Sequence, residues 1–220
     1  MRSSPLIVLA LLLAGCVSSL AQSHEITEAD LTKLINASKT KKTGLPVRET
    51  VSSTGYSPGD TYEGLFEFGP NNTYHYAVKS TSMGVETKTE GIRIGEVKYT
   101  RRPDGTWFRE PPPTARGSGS GFGSGTGSAG PPPEVMIEYS YLGRDKVDGQ
   151  KADHYRKLEI IKFVSMTPVM TRRVQNDYWF RDDGQMVRDS IIDIMGRQEY
   201  KRMTTFDFDK GIKIVAPIPD

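Results

Sequence analysis

The chain has 220 residues, a formal charge of +2 and one cysteine. That charge balance supplies no basic face for DNA or RNA, and a lone cysteine excludes structural disulfides and multi-thiolate metal sites. The length is enough for one domain with a real core, to be held together by packing alone.

At the start, Leu6 to Leu13 form an apolar run behind Arg2. It is too short to span a bilayer and reads as the apolar region of an export signal. Leu13-Ala14-Gly15-Cys16 closes the run. These four residues resemble the bacterial lipobox, in which the cysteine takes a thioether-linked diacylglycerol and becomes the new N-terminus. Ser19-Leu20-Ala21 also fits the small-x-small pattern of ordinary signal cleavage, which would release a soluble protein beginning at Gln22. Both routes lead out of the cytoplasm. The reading adopted is lipid attachment at Cys16, with 1–22 as signal and start of the tether and 23–220 as a single domain.

Thr27 is placed to cap a helix whose apolar residues Leu31, Leu34 and Ile35 share one face, and Asp30 stands where a capping box puts its acid. Gly44-Leu45-Pro46 predicts its end. Beyond it helical periodicity gives way to short alternating segments: Tyr74, Tyr76 and Val78; Ile92 and Ile94; Ile137, Tyr139 and Tyr141. Turn signals separate them at Gly69-Pro70-Asn71-Asn72, Arg102-Pro103-Asp104-Gly105, Asp148-Gly149 and Asp183-Gly184. With no crossover helices, the pattern predicts a mainly β fold, a meandering antiparallel sheet of roughly nine to eleven strands behind one N-terminal helix. Pro111-Pro112-Pro113 and Pro131-Pro132-Pro133 bracket a Gly/Ser tract whose one aromatic is Phe122. Such a tract cannot bury enough apolar surface to fold, so 111–133 is predicted to be a disordered loop inserted in the domain, with Phe122 as a candidate lid residue.

Motifs for chemistry are missing. Gly125-Thr126-Gly127-Ser128-Ala129-Gly130 has the letters of a dinucleotide loop, but no strand precedes it and three prolines follow. Asp207-Phe208-Asp209-Lys210-Gly211 begins like a calcium loop, yet its twelfth position is Ile218. His75 and His154 stand in different strands without a partner at metal-ligand spacing. No GxSxG elbow occurs. No catalytic residue, metal ligand or cofactor is therefore assigned. What remains is an apolar stripe, for which Tyr74, Tyr76, Ile92, Ile94, Ile137, Tyr139 and Tyr141 are the candidate residues. One short helix covers only part of a wide sheet, so the rest needs curvature, a lid or a bound lipid.

Three segments carry a family resemblance. The first is Ile92-Arg93-Ile94-Gly95-Glu96-Val97-Lys98-Tyr99 followed by Asp104-Gly105-Thr106-Trp107. The second runs from Tyr141-Leu142-Gly143 through Val147-Asp148-Gly149 to Ala152-Asp153-His154-Tyr155. The third is Asp177-Tyr178-Trp179-Phe180 with Asp182-Asp183-Gly184, then Thr205-Phe206-Asp207-Phe208 and Ile214-Val215-Ala216-Pro217. In this order they resemble the strands of the lipoprotein-carrier superfamily, the LolA/LolB-like and LprG/LppX-like proteins. The resemblance implies an unclosed barrel with a helix over its mouth and an apolar cavity for acyl chains. It also implies a non-catalytic envelope lipoprotein acting in lipid or lipoprotein transport, whose partners are the membrane, acyl chains and other lipoproteins. Val17 stands after Cys16 where resembling lipoproteins held at the inner membrane have aspartate, which points to the outer membrane, facing the periplasm. Gly69 replaces the arginine that soluble carriers place before a proline to latch the lid. A structural or protein-interaction module with the same fold and a filled interior is the alternative.

Overall fold

The computed structural model describes residues 23–42, 45–55, 57–111, 131–164, 168–208 and 211–218. Cys16, both cleavage sites, Phe122 and the tract 114–130 lie outside the described residues. The helix, α1, spans Glu28–Lys42, just after a two-residue strand β1, His24–Glu25. A first meander follows: β2 Val47–Thr54, β3 Thr61–Gly69, β4 Thr73–Ser82, β5 Val85–Ile94, β6 Val97–Arg101 and β7 Trp107–Arg109. A second meander comprises β8 Glu134–Val147, β9 Gln150–Phe163, β10 Met170–Phe180, β11 Met186–Met195 and β12 Gln198–Asp207.

All twelve strands belong to one sheet in the order β1-β8-β9-β10-β11-β12-β2-β3-β4-β5-β6-β7, and each neighbouring pair is antiparallel. The sheet is not closed: it is the antiparallel meander that the alternation predicts, in the unclosed half-barrel form that the resemblance implies. The strand number exceeds the nine to eleven expected because β1 and β7 are only two and three residues long, too short to leave a pattern in sequence. The turn signals fall where the chain reverses. Asp148 and Gly149 both have positive φ (50° and 82°), as a type I′ hairpin turn requires.

The N-terminus of α1 is a capping box. Thr27 Oγ1 accepts from the Asp30 amide at 3.2 Å, and Asp30 Oδ2 accepts from the Thr27 amide at 3.2 Å. The helix lies on one face of the sheet, where Leu31, Val47 and Phe180 are 2–3% exposed. Its C-terminal half is tied to both meanders. The Met186 amide donates to Ser38 Oγ at 2.9 Å, Lys41 Nζ donates to the Asp183 carbonyl, and Lys42 pairs with Glu49 on β2. Among the described residues the other face carries no helix, and it is the open face. Val147, Ala152 and Val187 bury themselves against Trp179 at one wing of the sheet. Tyr99 and Ile212 are buried as well.

Cross-strand register decides which side chains share a face. Tyr74 and Tyr76 pair with Phe68 and Phe66 on the helix face. Ile92 pairs with His75 and Ile94 with Thr73, so both isoleucines project from the open face, opposite to the tyrosines. The seven candidate residues are thus divided between two faces. Ile137, Tyr139 and Tyr141 share the helix face with Tyr74 and Tyr76, but β8 and β4 are separated by six other strands.

Candidate functional site

Two rows of side chains cross the open face of the first meander. One row runs Thr50, Leu65, Ala77, Glu90, and the next Ser52, Glu63, Lys79, Lys88. The β6–β7 turn, with Arg102, Pro103 and Gly105, borders these rows and flanks an open hollow of about 670 Å³. A second hollow of about 360 Å³ shares Ser52 and Glu63 with the first and continues over Met203, Lys201, Ile192 and Ser190. Together they form a trough crossing the strands from β11 to β5. Its floor is built from short side chains, Thr50, Ser52 and Ala77, with Leu65, Met203 and Ile192 among them. Small residues leave the volume open; larger ones at these positions would fill it.

A ladder of charges walls one long side of the trough. Arg48 Nη2 lies 2.7 Å from Glu67 Oε1, His75 Nδ1 is 2.9 Å from Glu67 Oε2 and Nε2 is 3.3 Å from Glu90 Oε1, and Arg101 Nη1 lies 2.8 Å from Glu90 Oε2. Burial works to raise the Glu67 carboxyl, but hydrogen bonds from His75 and Arg48 outweigh it and hold the group below its ordinary value. Burial likewise opposes Arg101 and His75 at Glu90, and the two donors again prevail. At the far corner Lys79 and Lys88 share Glu86, at 3.1 and 2.9 Å.

None of the seven candidate residues lines this trough. On the helix face, Tyr74 lies 5.0 Å from the Phe68 ring and 5.7 Å from Tyr76, so aromatic rings cover one another there. Two glycines make room for them. A Cβ on Gly91 would come within 2.5 Å of the Tyr76 ring, and one on Gly64 within 2.6 Å of Phe66. Tyr141 packs against His24 and Tyr155 and borders a separate hollow of about 550 Å³ beneath α1. Tyr139 borders a smaller hollow beside β1, Ile137 is exposed, and Ile92 and Ile94 are half-buried. The trough escaped sequence reading because small side chains are interspersed with the apolar ones on its floor, so no continuous apolar stripe marks it. The signal was the unbulky run Val51-Ser52-Ser53-Thr54 beside a Pro-Asp-Gly turn.

Among the described residues no cluster of three or more His, Cys, Asp or Glu side chains is arranged to hold a metal ion. No described helix is long and apolar enough to cross a membrane.

No protein-family model and no curated protein matches the chain. Among solved structures, the chain is similar to a LolA superfamily protein from Nitrosomonas europaea, with 12% identity, 83% of this chain and 92% of that one covered, and a TM-score of 0.23. It is similar to a DUF1329 family protein from Desulfovibrio piger, with 10% identity, 82% and 92% covered, and a TM-score of 0.24. It is similar also to an outer membrane lipoprotein-sorting protein domain from Vibrio parahaemolyticus, with 10% identity, 82% and 93% covered, and a TM-score of 0.23. TM-scores this low carry no argument, and the half-barrel assignment stands on strand order and register.

Proposed function

We propose that this chain is a non-catalytic envelope lipoprotein of LolA-like type that holds an acyl chain in the open-face trough and acts in transport of lipids or lipoproteins. In this reading it is anchored through Cys16 at the outer membrane and faces the periplasm. The observation that carries the proposal is the trough itself. Its larger part, about 670 Å³, falls within the range of small-molecule pockets, and small side chains keep its floor open. Burying an acyl chain yields roughly 0.8 kcal/mol per CH₂, so affinity needs no polar contact at all. The helix face favours the second reading, a structural or protein-interaction module, because rings and ion pairs occupy it.

Uptake of a fluorescent fatty acid separates the two. The wild-type protein should enhance the probe's emission, and Leu65→Asp with Ala77→Asp should abolish the enhancement while the far-ultraviolet spectrum stays β-rich. Tyr74→Leu, on the other face, should leave uptake intact. Wild-type protein that takes up no probe sinks acyl-chain binding and leaves the module reading.

A further inference from the structure

Exposed apolar side chains gather at one corner of the sheet. Val135, Met136 and Ile137 lie near the start of β8, Val164 follows β9, Val169 precedes β10 and Met170 opens it; all six are 37–58% exposed. Register brings them together. Val135 lies opposite Ile161, Met136 opposite Ile160, and Met170 opposite Phe163, so both faces of this corner are apolar. Apolar surface on both sides of a sheet end cannot be buried by a core on either face. It protrudes as a wedge. Beside it, a hollow of about 770 Å³ runs from Val169 and Met170 across Arg173 to Ile194.

Three exposed cations flank the wedge. Lys162 stands on β9 opposite Glu134, Arg173 on β10 opposite Ile160 and Ile194, and Arg197 in the β11–β12 turn, all exposed. The acids beside the wedge are Glu134, opposite Lys162, and Glu159, which stands opposite Ile137 and pairs with Lys157 at 3.2 Å; Glu199, further round, pairs with Lys201 at 2.8 Å. An apolar tip fringed by arginine and lysine complements an anionic bilayer, whose headgroups take the cations while the acyl boundary takes the tip. A soluble protein partner would need no such coupling of protruding aliphatics to surplus positive charge.

We propose that this corner is a membrane-contact wedge that inserts into bilayers containing anionic lipids. It is a contact separate from the Cys16 anchor and independent of what the trough holds. The chain enters the sheet at His24, opposite Tyr141, and Val135 lies six residues further along β8, about 20 Å away at strand spacing. Anchor entry and wedge are thus different points of the molecule.

The test uses the full chain with Cys16→Ser, so that a single introduced cysteine carries a polarity-sensitive fluorophore. One variant has Val169→Cys; the control has Met83→Cys, an equally apolar and more exposed residue in the β4–β5 turn. On adding phosphatidylglycerol/phosphatidylethanolamine vesicles, the Val169 probe should shift to the blue with a several-fold rise in intensity, and the Met83 probe should not. Lys162→Gln with Arg173→Gln should weaken vesicle binding about thirty-fold, and phosphatidylcholine vesicles should bind about as weakly. Three results overturn the proposal: equal shifts at both probes, which assign binding to the apolar leader; a Val169 shift without vesicles that tracks oligomer in sedimentation velocity, which assigns the corner to a second copy; or no shift at all.

Discussion

Asp177 and Asp189 lie on neighbouring strands, on opposite faces, and their surroundings act on them with opposite sign. Asp177 is 4% exposed. Burial pushes its carboxyl up, but hydrogen bonds from His154 Nε2, Arg156 Nε and Gln175 Nε2, at 3.1, 2.7 and 2.7 Å, prevail and hold it below the ordinary value. A depressed carboxylate contributes stability that is fully present above its unfolded value, near 3.9, and is lost as pH falls through the lower folded value. Asp177→Asn should therefore cost about 3 kcal/mol at pH 7, by leaving Arg156 uncompensated, and progressively less in acid. Asp189 is the reverse: burial raises it and outweighs the attraction of Arg202 and a hydrogen bond from Thr204, while its Oδ1, 3.8 Å from Arg202 Nη2, accepts no hydrogen bond among the described residues. A raised carboxyl contributes stability below the unfolded value and loses it as pH climbs through the folded one. Asp189→Asn should accordingly raise stability by about 1 kcal/mol at pH 7 and change nothing below the unfolded value. Thermal midpoints of both variants from pH 3 to 8 check the two signs, and a parallel pH trend in the two would refute the account.

At the scale of elements, local chemistry was legible and register was not. Thr27 with Asp30, the Asp148-Gly149 turn and the period-two alternation in β4 and β8 act within a few residues, and each appears where its sequence places it. Whether Ile92 joins Tyr76 depends on a one-residue choice made between strands. Gly91 takes the place opposite Tyr76 because a ring lying flat on the sheet needs a neighbour without Cβ, and Ile92 is thereby turned to the open face. Gly91→Ala should cost about 1–3 kcal/mol by forcing the Tyr76 ring off the sheet. The same substitution at Gly149 meets no atom within 4 Å and should cost only the strain of a positive φ. Chemical denaturation of the two variants, with Tyr76→Ala added to each, distinguishes these causes: the added truncation should relieve Gly91→Ala and leave Gly149→Ala unchanged. The tract 114–130 yields a different expectation. Each doubling of a loop costs only about 0.6 kcal/mol, so replacing the tract by a Gly-Asn turn should move the thermal midpoint by no more than a few degrees. A collapse in stability would show that it packs on the domain.

For the whole molecule, the decisive feature is that two meanders share one sheet through a single seam. β12 pairs with β2 from Lys201–Thr54 to Asp207–Arg48, and the trough crosses that seam where Met203 meets Ser52. Helix α1 reinforces it from the other side, reaching Glu49 on β2 and the β10–β11 turn. The first meander lines the larger hollow by itself and the second extends it across the seam, so folding across the seam and capture of an acyl chain along the whole trough should fail together. Thr204 lies buried in the middle of β12, opposite Val51. Thr204→Pro removes a ladder donor from a central strand and should abolish both the native melting transition and fatty-acid uptake. Ser38→Ala removes only the acceptor for the Met186 amide; it should lower stability by about 1–3 kcal/mol and leave uptake near normal, since that contact is on the helix face. Calorimetry adds the discriminating readout. One cooperative transition in the wild type and in Ser38→Ala fits a molecule welded at the seam. Two transitions in Ser38→Ala would mean that the meanders fold independently and that α1, not the β2–β12 pairing, holds them together.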